Sequence, residues 1–196
     1  MLTNLFVLIA GLVLFLGAHS VRIVADDWRA ARLAAWGEAR WKGLYSLVSL
    51  AGLALTVIGY GMARATPVDL WQPPVFTRHL ASLLMLVSFI LMAAVYVPGT
   101  RIKARLGHPM VLSVKTWALA HLLANGRLAD LLLFGSFLAW AVLDFRAARG
   151  RDRREGVVRA AGPISRDAIA VGVGIAGWLV FALMLHAWLI GVQPFG

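Results

Sequence analysis

Residues 80–100 read LASLLMLVSFILMAAVYVPGT, a stretch with no Asp, Glu, Lys or Arg. Its apolar residues are not confined to one face of a helix, nor do they alternate with polar ones as barrel strands would over ~10 residues. A bilayer core of ~30 Å needs ~20 such residues in a helix. An α-helix also closes its own backbone hydrogen bonds, which lipid cannot do for it. The segment therefore reads as a transmembrane helix ended by Pro98-Gly99.

The same reading extends along the chain. Residues 1–21, 43–63 and 168–196 are also free of charged residues. Two shorter apolar runs, 116–126 and 131–143, follow Lys115 and lie between Asp130 and Asp144. Counting both gives an all-α, polytopic membrane bundle of about six transmembrane helices. These two are the runs that fall short of a full crossing. Of the 196 residues 61% are hydrophobic and only 14% charged, with mean hydropathy +0.80, which excludes a water-soluble domain. The whole chain, 1–196, is expected to form one integral-membrane domain.

The net charge of +10 is distributed as a topology signal, not as a nucleic-acid surface. Arg22, Arg29, Arg32, Arg40 and Lys42 crowd the first loop; Arg101, Lys103 and Arg105 the third; Arg146, Arg149, Arg151, Arg153, Arg154, Arg159 and Arg166 the fifth. The other loops hold only Arg64, Arg78 and Arg127. By the positive-inside rule the rich loops are cytoplasmic and both termini periplasmic, in a multi-pass protein of a bacterial inner membrane. Membrane lipids, anionic ones included, are the expected partners, and nucleic acid is not. No Lys or Arg precedes Arg22, so the first helix is expected to stay as an anchor and not to be cleaved as a signal peptide. Residues 22–42 read as an interfacial helix, with Trp28, Leu33, Trp36 and Trp41 toward lipid and the arginines toward headgroups. Residues 146–167 read as a polar, mobile loop. In the last helix Ala168, Gly172 and Ala176, spaced by four, suggest a close helix contact.

There is no cysteine, so thiolate metal sites, iron–sulfur clusters and covalent c-type haem are excluded. The candidates for chemistry are five histidines. His79 and His186 read as interfacial anchors, and His108, followed by Pro109 at a helix start, as a cap or a site residue. His19 and His121 are intramembrane, where imidazole serves as an axial ligand of haem iron or as polar glue between helices. His19 lies about 4–5 Å inside Arg22. If Lys115 marks the same boundary, His121 lies about 9 Å in, a depth that one haem bridges; entry at His108 would put it about 20 Å deep, where the pairing fails, and the cost of a bare Lys115 in lipid favours the first register. Trp117, His121 and Asn125 share one helix face. Spacing alone leaves both readings open.

The run Gly107-His108-Pro109, Lys115, 117–126 (WALAHLLANG) and 133–137 (LFGSF), with His19-Ser20, resembles the NnrU family. That resemblance implies a membrane protein associated with bacterial denitrification, supporting nitrite and nitric oxide reductase function, with a possible redox or reductase partner protein. The same motifs are similar to 15-cis-zeta-carotene isomerase, a membrane haem b enzyme with two histidine ligands. This second resemblance implies haem b held by His19 and His121, and it shares His108-Pro109; Trp117 and Asn125, on the His121 face, and Lys115, a cation suited to a propionate, complete the candidate site. It also implies an alternative activity, cis–trans isomerisation of a polyene such as a carotenoid. A departure is Gly107, where the isomerase has Arg before His-Pro. A third reading is a haem-free membrane assembly scaffold. Whether the protein is an enzyme stays open at this stage.

Overall fold

The structure is a computed structural model that describes residues 2–195. Its elements are α-helices: α1 Leu2–Val24, α2 Asp26–Trp36, α3 Glu38–Ala65, α4 Val75–Tyr96, α5 Arg101–Leu106, α6 Pro109–Ala124, α7 Leu128–Glu155, α8 Ile164–Val180 and α9 His186–Ile190, with a π-helical turn at Phe181–Leu185 between the last two. Among the described residues there is no strand, only an isolated bridge between Asp69 and Arg127. Among the described residues five helical stretches are long and apolar enough to cross a membrane: α1, α3, α4, α7 and the run Ile164–Ile190. The apolar helix α6 is shorter, 16 residues. A polytopic helical membrane protein is therefore the class that the fold defines. The lipid-facing surface such spans require is visible in side chains such as Val13, Leu47, Leu83 and Val173, all more than half or nearly half exposed.

Two compact units divide the chain. The first contains residues 1–71 and 126–144; the second contains 72–125 and 145–196. In the first unit α1 and α3 pack backbone to backbone through glycine. A Cβ added at Gly59 would stand 2.3 Å from the Leu8 nitrogen, at Gly52 2.6 Å from that of Phe15, and at Gly11 2.4 Å from that of Thr56. In lipid there is no hydrophobic drive between apolar helices, so small residues that allow close approach supply the contact. The 66–71 segment is stitched to the start of α7 by Leu70 N–H to Gly126 O at 2.8 Å and Leu128 N–H to Val68 O at 2.9 Å.

In the second unit α4 and α6 are joined by a reciprocal serine pair: Ser88 Oγ donates to Ser113 O, and Ser113 Oγ to Ser88 O, each at 2.9 Å. α4 meets α8 where Gly174 lies against the Ile90 backbone. That contact corrects the expected stripe. Ala168, Gly172 and Ala176 are exposed, while Ala170 and Gly174 are buried on another face of the same helix. A spacing of four names a face but not the neighbour that will cover it.

Two further expectations change. The apolar run after Asp130 is not short, because α7 runs 28 residues and carries its helix on through Arg146, Arg149, Arg151, Arg153 and Arg154. Most of the expected fifth loop is thus helix. The remaining segment, 156–163, is tied down: Gly162 N–H donates to Gly99 O at 3.0 Å and Val157 N–H to Asp152 O at 2.9 Å. In the third loop, residues read as connection form the six-residue α5, capped by Thr100, whose Oγ1 accepts from Lys103 N–H.

Candidate functional site

His19 lies near the end of α1 in the first unit. Its Nδ1 is 2.7 Å from the carbonyl oxygen of Phe15, one helical turn back. A carbonyl only accepts, so Nδ1 carries the hydrogen and the neutral ring has its lone pair on Nε2. Phe15 also stacks on the ring at 4.2 Å. Tyr45 of α3 and Trp140 of α7 close around it, with ring centroids at 5.2 and 6.0 Å. The Trp140 Nε1 atom is buried and has no hydrogen-bond partner. A buried N–H is rarely left unmet in a native protein, so a polar atom from outside the chain would find a donor there.

His121 repeats the local geometry in the second unit. Its Nδ1 is 2.9 Å from the Trp117 carbonyl, again four residues back, which places the lone pair on Nε2. The Trp117 ring lies 5.4 Å away. Asn125 follows as the C-cap of α6 and donates Nδ2–H to the His121 carbonyl at 2.8 Å. Trp117, His121 and Asn125 are therefore brought together, as their spacing predicts. Asn125 spends its amide on the helix end, where the carbonyls lack partners within the helix. Lys115 sits half-buried within α6, which is already helical from Pro109. It is not the helix start: α6 begins at Pro109, next to His108, so the depth of about 9 Å for His121 rests on the membrane boundary falling at Lys115 within the helix and not on the helix's own beginning.

The other histidines differ. His79 is exposed near the start of α4. His186 also bonds a carbonyl through Nδ1, that of Val192 at 2.6 Å, but beyond the end of its helix. His108 is the N-cap residue of α6 yet makes no side-chain cap. Its Nε2 instead lies 2.8 Å from Asp152 Oδ2. Arg159 grips the same carboxylate with Nη1 at 2.8 Å and Nη2 at 2.9 Å, and Arg149 stands 4.0 Å off. This paired hydrogen bond raises the Arg159 guanidinium above its ordinary value, which keeps it charged. Gly107 sits under the cluster with φ +81°, and a Cβ there would meet Arg149 Nη1 at 3.0 Å. An Arg at that position, as in the isomerase pattern, would be strained in backbone and crowded by cations already present.

Sequence reasoning missed Asp152 and Arg159 because nothing local announces a partner 44 residues from His108. It also missed Asp130. That carboxylate is buried, accepts from Tyr60 OH at 2.5 Å, and takes the Arg127 N–H at 3.3 Å. The signal was available: an acidic residue three positions after a helix N-cap commonly reaches back to the cap's own N–H. Among the described residues no cluster of three or more His, Cys, Asp or Glu could hold a metal ion by itself. A group with its own ligands, such as a porphyrin, needs only one or two imidazoles from the protein.

A helical protein with several membrane spans and two histidines, His19 and His121, each bonded through Nδ1 to the carbonyl one helical turn back, is the class so defined. The chain belongs to the NnrU family: the family model described as NnrU protein matches residues 7–194. Comparison with curated proteins and with solved structures returns no match.

Proposed function

We propose that this NnrU-family protein binds haem b through His19 and His121 and supports denitrification by redox or sensing chemistry in the bacterial inner membrane. The observation that carries the reading is the shared Nδ1–carbonyl bond of the two histidines. A metal-binding imidazole usually gives its other N–H to a carbonyl or carboxylate, which fixes the ring and strengthens the ligand nitrogen. His19 and His121 have that bond in place, each beside aromatic rings that suit a macrocycle. The Trp140 N–H adds a donor near His19 with no partner in the chain.

Haem held by His19 and His121 would supply one-electron chemistry of the kind used in electron transfer. The protein's own part is to hold the two rings, exclude water and keep each proton on Nδ1. His108 and the arginines around Asp152 serve in this reading as the polar flank at which a carboxylate is met by cation. A reductase or redox protein in or at the membrane is the partner that such a carrier requires.

The test is direct. Full-length protein purified in mild detergent is scanned for reduced-minus-oxidised haem b bands, then extracted for haem content. Stoichiometric haem with bis-imidazole bands supports the reading. A colourless protein that stays colourless after haem is added to apoprotein would leave the scaffold reading in its place. Feeding a poly-cis carotene to cells that express the protein separates electron transfer from isomerisation.

A further inference from the structure

We infer that the first unit holds one molecule of an anionic phospholipid, with an acyl chain in a groove between α1 and α3 and its phosphate at the Arg22 end. The groove offers about 530 Å³ of open space and is lined only by apolar side chains, among them Ala10, Gly17, Ala18 and Val21 of α1 with Val48 and Leu55 of α3. From Ala10 to Val21 the groove runs about 16 Å at the helical rise. One leaflet of a ~30 Å hydrocarbon core is about 15 Å deep. The groove is as long as one leaflet and no longer.

Gly17 shows that the space is not a by-product of helix contact. Gly11, Gly52 and Gly59 are glycine because backbone presses on them, yet a Cβ at Gly17 would meet nothing within 4 Å. Its missing side chain widens the groove instead of seating a helix.

Charge identifies the headgroup. The groove ends at Val21, and Arg22 follows with its side chain 57% exposed, 3.8 Å from Asp26. Beyond it α2 has no buried residue and exposes Arg32, with Arg29 half-buried. Residues 22–42 carry Arg22, Arg29, Arg32, Arg40 and Lys42 against Asp26, Asp27 and Glu38, so the positive balance survives the local carboxylates. Arg32 is not on the polar side opposite the tryptophans, as an amphipathic reading would have it. Its guanidinium lies 5.6 Å from the rings of both Trp28 and Trp36. Indoles settle at headgroup depth, and a guanidinium held among them presents donors to a phosphodiester at that depth.

The experiment uses the full-length protein in nanodiscs of mixed phosphatidylglycerol and phosphatidylcholine, released into detergent for native mass spectrometry. The expected result is one retained phosphatidylglycerol per chain, preferred over phosphatidylcholine by about fivefold for each arginine engaged. Gly17→Leu fills the groove and removes the retained lipid of either kind. Gly61→Leu, another open position that lies off the groove, leaves it. Arg22→Gln combined with Arg32→Gln keeps a retained lipid but abolishes the headgroup preference. Equal retention of the two lipids by the unaltered protein, or undiminished retention by Gly17→Leu, would overturn the site and show only annular lipid. Haem content is not part of this readout, so the test stands whether or not His19 and His121 bind haem.

Discussion

His108 Nε2 and Asp152 Oδ2 are 2.8 Å apart, which ties the first residue before α6 to the last turns of α7. Asp152 is also the anchor for Arg159, so one carboxylate fixes three segments: the entrance to α6, the end of α7 and the segment after it. Asp152→Asn keeps the shape and removes the charge. It should loosen residues 156–163 and lower the thermal midpoint in detergent by roughly 2–4 °C, the equivalent of about 1 kcal/mol in a chain of this size. Arg153→Gln, beside it in sequence, should change the midpoint little. Equal midpoints for Asp152→Asn and Arg153→Gln would show that the cluster is a surface arrangement without structural weight.

The glycine contacts of α1 and α3 make a second prediction. Gly59→Ala places a methyl group 2.3 Å from the Leu8 backbone, and backbone cannot swing aside as a side chain can. Overpacking of this kind costs ~1–3 kcal/mol. Gly61→Ala, where an added Cβ meets open space, should be neutral or mildly stabilising. The comparison needs only thermal unfolding of the two variants side by side. A Gly61→Ala protein less stable than Gly59→Ala would contradict the packing described.

How much of this was legible beforehand follows the range of each interaction. α1, α3, α4 and the last span declare themselves because freedom from charge over a whole bilayer thickness is a local property. α7 was foreshortened because Asp130 and Asp144 looked like boundaries. Asp130 is instead buried, capped at the start of its own helix and met by Tyr60, 70 residues earlier. The basic run after Asp144 is helical because arginine is a good helix former whose charge finds water past the apolar stretch. Trp117, His121 and Asn125 were readable since one helix face needs only a spacing of four. The partners of His108 were not, since spacing says nothing of residues brought in by another helix.

The half-buried Trp117 and the exposed Trp28 give a third test. Trp117 lies against His121 within the second unit, whereas Trp28 is 47% exposed on α2. Trp28→Arg keeps its charge at headgroup depth and should be tolerated. Trp117→Arg places a charge beside His121 and should lower both expression and haem content severalfold. Equal yields and equal haem in the two variants would refute the faces assigned to these helices.

Topology is tested by reporter fusions. By the positive-inside rule, the basic residues of 22–42, 101–105 and 146–166 predict those segments on one side of the membrane and both termini on the other. Alkaline phosphatase fused at the C-terminus should be active, and a cytoplasmic reporter there silent. The reverse would mean that α6, an apolar helix of 16 residues, does not cross.

The proposal to test is that haem is held by His19 and His121 through Nε2. The measurement that meets it most directly is the reduced-minus-oxidised spectrum and extracted haem of His19→Ala and His121→Ala, compared with His79→Ala and His186→Ala. Each of the first two should lose most of its haem and shift the bands of what remains, with added imidazole restoring part of the signal. The second two should match the unaltered protein. Full haem and unchanged bands in His19→Ala and His121→Ala would contradict the claim.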